Sequence, residues 1–160
     1  MGLAVLRGRD LRYFGVRTLR NGTRPYDAIG QARRIVLAAI ERYSPQVVAI
    51  EEPLKLPTKR AALMSVIAEE MGRRAAELGL EVVELTPDRV RQAVVGNGRA
   101  TKIEVAEALV RGGFEQLRPL IPSRPARSAL GLRPRDKYWL HMFDALALCV
   151  AGGIDPGPRG

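Results

Sequence analysis

Gln46-Val-Val-Ala-Ile-Glu51-Glu52-Pro53 is a nearly all-apolar run of strand length that ends on two carboxylates. A strand buried on both faces reads this way, which places it inside a parallel sheet. Open α/β sheets gather their ligands at the carboxyl ends of such strands, so Glu51 is a candidate site residue; a solvated strand end is the alternative. Upstream, apolar residues recur at helical spacing from about Tyr26 to Tyr43, with Ile29, Ile35 or Val36, Ala39 and Ile40 inward, and Ser44-Pro45 stops the helix. Downstream, Lys59 to Gly79 reads as a long helix whose apolar face holds Leu63, Val66, Ile67, Ala68 and Met71. That face is broad enough for a dimer interface, although ordinary core packing accounts for it as well. Glu81 to Leu85 is another short strand.

The flanks extend this alternation. Gly2 to Leu6 and Leu11 to Leu19 read as two strands joined by the turn Arg7-Gly-Arg-Asp10, and Asn21-Gly22 marks a further turn. Thr86-Pro87 opens a short helix, a cap followed by proline at the first turn. Val94-Val-Gly-Asn-Gly-Arg-Ala-Thr-Lys102 then forms a glycine loop feeding a helix that Thr101 caps, with Arg89, Arg91 and Arg99 around it. Gly96 and Gly98 let the backbone approach a ligand closely, which suits a phosphate backbone, although many ordinary turns contain Gly-Asn-Gly. From Gly112 to Arg135 prolines and arginines alternate without a regular period. This segment reads as a long basic loop insertion able to grip DNA, or as a disordered surface insertion. The last helix, Tyr138-Trp-Leu-His141-Met-Phe-Asp144-Ala-Leu-Ala-Leu-Cys-Val-Ala151, has Asp136 as its expected cap and Trp139, Phe143, Leu146 and Val150 as an apolar stripe. Its two strongly polar side chains, His141 and Asp144, share one face. They read either as metal ligands or as a satisfied core pair. Strands first and alternation later predict a mixed β-sheet flanked by helices on both faces, an α/β fold in a single domain.

Composition narrows the partners. The 160 residues carry a formal net charge of +9, which points to a polyanion, nucleic acid first. Only Lys55, Lys59, Lys102 and Lys137 are lysines, so arginine carries the excess; arginine suits bidentate phosphate contacts, and codon bias gives the same count. Cys149 is the single cysteine and lies on the apolar helix, which excludes an intrachain disulfide and fits a reducing compartment. No apolar run approaches membrane-spanning length and no signal peptide is visible, so a cytoplasmic protein is expected.

In their order, these elements resemble the RuvC-type Holliday-junction resolvases of the ribonuclease H-like superfamily. Ala49-Ile50-Glu51-Glu52 is similar to the family strand that ends in a catalytic Glu. Pro87-Asp-Arg-Val-Arg91-Gln-Ala-Val-Val-Gly96-Asn-Gly98-Arg-Ala-Thr-Lys102 is the most specific match, and His141-x-x-Asp144-Ala-Leu-Ala resembles the last acidic motif, where some members carry Asp in place of His141. The segment from Gly112 to Arg135 is poorly matched.

One family motif is displaced. Members open with a strand carrying Ile-Asp-Pro-Gly, whose Asp is a metal ligand; here Ile154-Asp155-Pro156-Gly157 stands at the far end. Reading Gly160 on into Met1 restores the family's first hairpin in continuous register, with Gly2 at the place of its later glycine. At average residue usage a given position carries Asp-Pro-Gly by chance roughly once in several thousand. The sequence therefore predicts a circular permutant whose residues 152–160 hold the displaced first-strand motif. Gly152-Gly153 would make the tight turn that brings Asp155 back beside Asp144. A frayed tail, or an Asp155 that completes a neighbouring chain's site, are the alternatives.

The resemblance implies a metal-dependent endonuclease that cuts four-way DNA junctions in recombination and repair. Asp155, Glu51 and Asp144 would ligate a Mg²⁺ pair, with His141 as a neutral ligand or proton-transfer group. Imidazole suits Mn²⁺ better than Mg²⁺, so Mn²⁺ would substitute well. Lys102 would offset transition-state charge, and Arg89, Arg91, Asn97, Arg99, Lys102 and Lys59 would hold DNA. Leu54 stands where the family often has an inserting aromatic. A homodimer with two active sites is expected, the Lys59–Gly79 helix taking the interface position. Two other functions stay open: a branched-DNA-binding relative without catalysis, and a flap or RNA–DNA hybrid nuclease on the same fold.

Overall fold

A computed structural model of the chain describes residues 1–19, 25–53, 57–122 and 134–154, and their elements are mixed α and β in the expected order. The described residues belong to two units, one built from Met1–Arg17 with residues 88–154, the other from Thr18–Pro87.

In the first unit β1 (Gly2–Arg7) pairs antiparallel with β2 (Asp10–Val16), and Gly8 closes the hairpin at φ +60°. That left-handed conformation strains most residues with a Cβ, asparagine least, so the Arg7-Gly-Arg-Asp10 reading locates the turn correctly. β2 ends at Val16 rather than Leu19, and the Met1 carbonyl takes the Arg17 amide at 2.8 Å as the ladder runs out. Helix α5 (Pro134–Ile154) packs across both strands and against α4 (Lys102–Arg111). Phe143, Met142, Leu146 and Ala147 of α5 are buried, as are Val105, Ala106, Leu109 and Val110 of α4. Each fully buried large side chain contributes about 1.5–3 kcal/mol, so this helix pair is the unit's core.

Three expectations for this unit need correction. Asp136 lies in the first turn of α5 rather than at its cap, because the helix begins at Pro134, where the missing N–H is no loss. Gly152-Gly153 makes no tight turn: α5 runs through both to Ile154. Ala151 is 1% exposed and Gly152 is buried, and that packing outweighs the ~1 kcal/mol that each glycine costs a helix. The Gly112–Arg135 segment is not loop throughout. A 3₁₀ helix, Glu115–Leu120, packs on α4, with Leu117 and Phe114 buried; this apolar pair, ahead of the prolines, anchors it.

In the second unit β3 (Val47–Glu51) pairs parallel with β4 (Glu81–Leu85), in register from Val47↔Glu81 to Glu51↔Leu85. β3 is half-buried rather than covered on both faces, and Val47 is 37% exposed. Among the described residues the strands form two two-stranded ladders, so the central position predicted for β3 is not seen there. Helix α2 (Lys59–Glu77) packs on both strands and buries Ile67, Met71, Gly72 and Ala75, while Val66 and Met64 stay exposed. Helix α1 (Pro25–Tyr43) packs on α2, and its most buried residues are Ala28 and Ala32, while the expected Ile29, Ile35, Val36, Ala39 and Ile40 are half-buried. Small residues let two helices approach closely, and the bulkier ones stay half-buried beside the contact.

Candidate functional site

The first unit turns a local sequence signal into a shaped loop. Helix α3 (Pro87–Val95) starts on the expected proline and anchors through buried Val90. Gly96 follows at φ +79°, the left-handed step that ends many helices. The Asn97 side-chain oxygen accepts the Arg99 amide at 3.0 Å, and its carbonyl accepts the Ala100 amide at 3.1 Å. Gly98 lies close to the helix start, where an added Cβ would be 3.2 Å from the Asp88 carbonyl oxygen. Thr101 then caps α4 in a reciprocal box: its hydroxyl accepts the Glu104 amide, and the Glu104 carboxylate takes the Thr101 amide at 2.6 Å. That bonding, Thr101's backbone first and then its side chain, holds the Glu104 carboxyl below the usual carboxylate range.

Lys102 is the first residue of α4, and its ammonium donates to the Asp144 carboxylate on α5. His141 Nδ1 lies 3.9 Å from the same oxygen, beyond hydrogen-bond reach. The Lys102, Asp144 and His141 side chains are 48%, 27% and 56% exposed, so ligand and water can reach all three. Strand β1 sets the position of this face of α5. A Cβ at Gly2 would lie 2.2 Å from the His141 carbonyl oxygen and 3.2 Å from Ala145 Cβ, so only glycine fits where strand and helix cross. Cys149 makes the next contact along, its thiol donating to the Ala4 carbonyl at 3.3 Å, and burial pushes that thiol up to about 11. It is a packing residue, as read.

Glu51 ends β3 in the second unit, where the Glu52 amide extends the ladder to the Leu85 carbonyl at 2.9 Å. A concavity of about 550 Å³ opens beside it, lined among others by Ile50, Glu52, Glu69, Arg73 and Glu84. Lys59 is exposed at the start of α2, which Thr58 caps by accepting the Ala61 amide at 3.1 Å.

The predicted residues thus fall into two groups. Lys102, Asp144 and His141 come together, with Asn97 and Arg99 on the loop before them and Arg89 and Arg91 on α3; Glu51 and Lys59 belong to the other unit. Asp155 and Leu54 lie outside the described residues. The donors suit a divalent cation, since carboxylate and imidazole atoms 3.9 Å apart can share one ion at bond lengths of roughly 2.1 Å. Among the described residues, however, no three His, Cys, Asp or Glu side chains converge on a common point. Two contributors escaped the sequence reading. Gly2 was placed only by family register, and Gln92, whose side chain bonds the glycine loop twice, had no local signal beyond its polarity.

The family model for Crossover junction endodeoxyribonuclease RuvC matches residues 1–115. A relative of that name from Polynucleobacter necessarius is 33% identical over 113 residues, 69% of this chain and 66% of its own. One from Bacteroides fragilis is 31% identical over 116 residues, 69% of this chain and 62% of its own. The chain therefore spans less than two thirds of the length of these relatives. Among solved structures, Thermus thermophilus RuvC superposes with a TM-score of 0.64 at 25% identity, covering 94% of this chain and 83% of that one. The same protein in complex with a Holliday junction substrate gives 0.64 at 26% identity, covering 94% and 82%.

Proposed function

The chain belongs to the crossover junction endodeoxyribonuclease RuvC family, and on that premise we propose that it cuts four-way DNA junctions by metal-assisted phosphodiester hydrolysis. The observation that carries this reading is the Lys102–Asp144 contact, which sets a carboxylate, an imidazole and an ammonium at the foot of a basic glycine loop. Asn97, Arg99 and Lys102 hold the DNA backbone there, with Arg89 and Arg91 adding charge from α3 and Lys59 from the other unit. Glu51, Asp144 and His141 would be ligands of divalent cations, Mg²⁺ or Mn²⁺, with Asp155 as a further carboxylate. Bound metal supplies a nucleophile at neutral pH and stabilises charge on the leaving oxygen. Lys102, which here donates to Asp144, would offset charge developing on the scissile phosphate.

Circular permutation is a proposal from sequence only. Within the described residues the chain does not turn back toward Asp144: Ile154 lies about 15 Å along the helix axis from it, at 1.5 Å per residue. A homodimer is proposed through α2, where exposed Val66 and Met64 extend the apolar face. Among the described residues no helix is long and apolar enough to cross a membrane. A cytoplasmic location is part of the proposal.

The test is cleavage of a synthetic four-way junction with Mg²⁺ or Mn²⁺, wild type beside Asp144→Asn, Glu51→Gln and Asp155→Asn. Paired symmetric nicks that all three substitutions abolish support the whole reading. Nicks that survive Asp155→Asn alone remove that residue from the site. A second reading, a junction-binding relative without catalysis, draws on the absence of three converging donors among the described residues. Binding by the wild type without cutting under either metal would establish it instead.

A further inference from the structure

Gln92 sits one turn before the end of α3, and its side chain reaches past the helix terminus. Its amide nitrogen donates to the Gly96 carbonyl at 3.1 Å, and its amide oxygen accepts the Gly98 N–H at 3.1 Å. The Gln92 backbone carbonyl also takes the Gly96 amide, at 2.9 Å. One residue therefore grips both glycines that flank Asn97. Donor meets acceptor in both directions, a fit that neither Glu nor an apolar side chain reproduces. The grip passes on along the chain: Asn97 bonds the Arg99 and Ala100 amides, and Thr101 caps the helix on which Lys102 stands.

We propose that Gln92 is a positioning residue that pre-shapes the Gly96–Arg99 loop for DNA backbone contact, acting through Asn97 and Arg99. This rests on the junction-binding reading of the loop. Glycines at 96 and 98 allow close approach to phosphate, but they also make an unrestrained loop costly to order on binding. Gln92 removes that cost in advance. Its loss removes no charge from the chain but leaves Arg99 unpresented, and lowers affinity by about tenfold on the ordinary strength of two such bonds.

The test uses Gln92→Met, nearly isosteric and unable to make either bond, in the full chain. Exchange of the Gly98 amide with solvent should accelerate while the amides of the buried α4–α5 core keep their protection. Affinity for a four-way junction should fall about tenfold, and its salt slope should ease by up to about one as the Arg99 contact to phosphate is lost. Arg99→Ala should then cost less in the Gln92→Met background than in wild type, because an unshaped loop no longer presents Arg99. Unchanged Gly98 exchange, or an Arg99→Ala penalty equal in both backgrounds, overturns the proposal. Running linear duplex alongside separates it from the function itself. A wild type that binds duplex but not the junction defeats the junction reading and leaves the Gln92 comparison to be read on duplex. A wild type that binds neither defeats both.

Discussion

Lys102 and Asp144 stand 42 residues apart in the chain and meet because α4 packs against α5. The ammonium occupies the carboxylate that the proposed chemistry needs for metal, so the two cations compete for one site. Lys102→Ala should therefore act in opposite directions on two ligands. Mn²⁺ binding to the DNA-free chain should tighten by up to about fivefold, the range of a partly exposed ion pair. Junction affinity should fall across all sequences, and its salt slope should drop by about one. Titration calorimetry and a salt series on the same variant check both. Weaker Mn²⁺ binding would mean that Lys102 supports the metal site rather than competing for it.

Gly2 carries the position of the His141–Asp144 face. Gly2→Ala should destabilise the chain by about 1–3 kcal/mol, since the new Cβ falls on the His141 carbonyl and backbone must shift to admit it. Gly8→Asn is the control. Gly8 also has a special conformation but no atom within 4 Å of an added Cβ, and asparagine tolerates the left-handed region. It should unfold in urea close to wild type. Equal losses at both positions would show that turn conformation, not strand–helix contact, sets the stability.

The capping box at Thr101 gives a third expectation. Thr101→Ala should cost about 1 kcal/mol in denaturant unfolding, while Thr101→Ser should retain most of the stability. The Glu104 carboxyl, held low by Thr101, should return toward its ordinary value in the alanine variant. Carboxyl chemical shifts followed through an acid titration would measure it.

What was legible in the sequence was local. Thr101 as a cap, Thr86-Pro87 as a helix start, Ser44-Pro45 as a stop and Glu81–Leu85 as a strand each depend on a few neighbouring residues, and the structure places them as read. The acidic motif was equally local, because His141 and Asp144 share a face on any helix. What escaped depends on contacts distant in sequence. The pairing of Lys102 with Asp144 needs the packing of two helices, and the clash at Gly2 needs a strand laid across α5. The turn expected at Gly152-Gly153 failed for the same reason, since glycine propensity was weighed without the burial that carries α5 through it. Gln92 was hidden because a helix-end glutamine looks like any solvated side chain until the loop folds back on it.

The last expectation concerns pH and comes from Glu70 on α2. Its carboxylate accepts from Arg73 at 2.5 Å, from Arg74 at 3.3 Å and from Arg33, which reaches across from α1. The spacing of Glu70, Arg73 and Arg74 is helical, but only the α1–α2 contact brings in Arg33. The Arg73 hydrogen bond, then those of Arg33 and Arg74, hold the Glu70 carboxyl down at about 2 against an ordinary 4.5, with burial opposing them. A carboxyl lowered by folding contributes stability that is complete above its unfolded value and is lost as pH falls through the folded one. Wild type should therefore lose this contribution between about pH 4.5 and 2, and Glu70→Gln, destabilised at neutral pH, should show a shallower decline over that window. Arg73, Arg74 and Arg33 are 51%, 36% and 40% exposed, so added salt should narrow the gap between the two proteins. Urea unfolding at pH 7 and pH 3, with and without 0.5 M salt (about 4 Å of Debye length), measures all of this. Parallel declines in the two proteins would assign the acid sensitivity to other carboxylates.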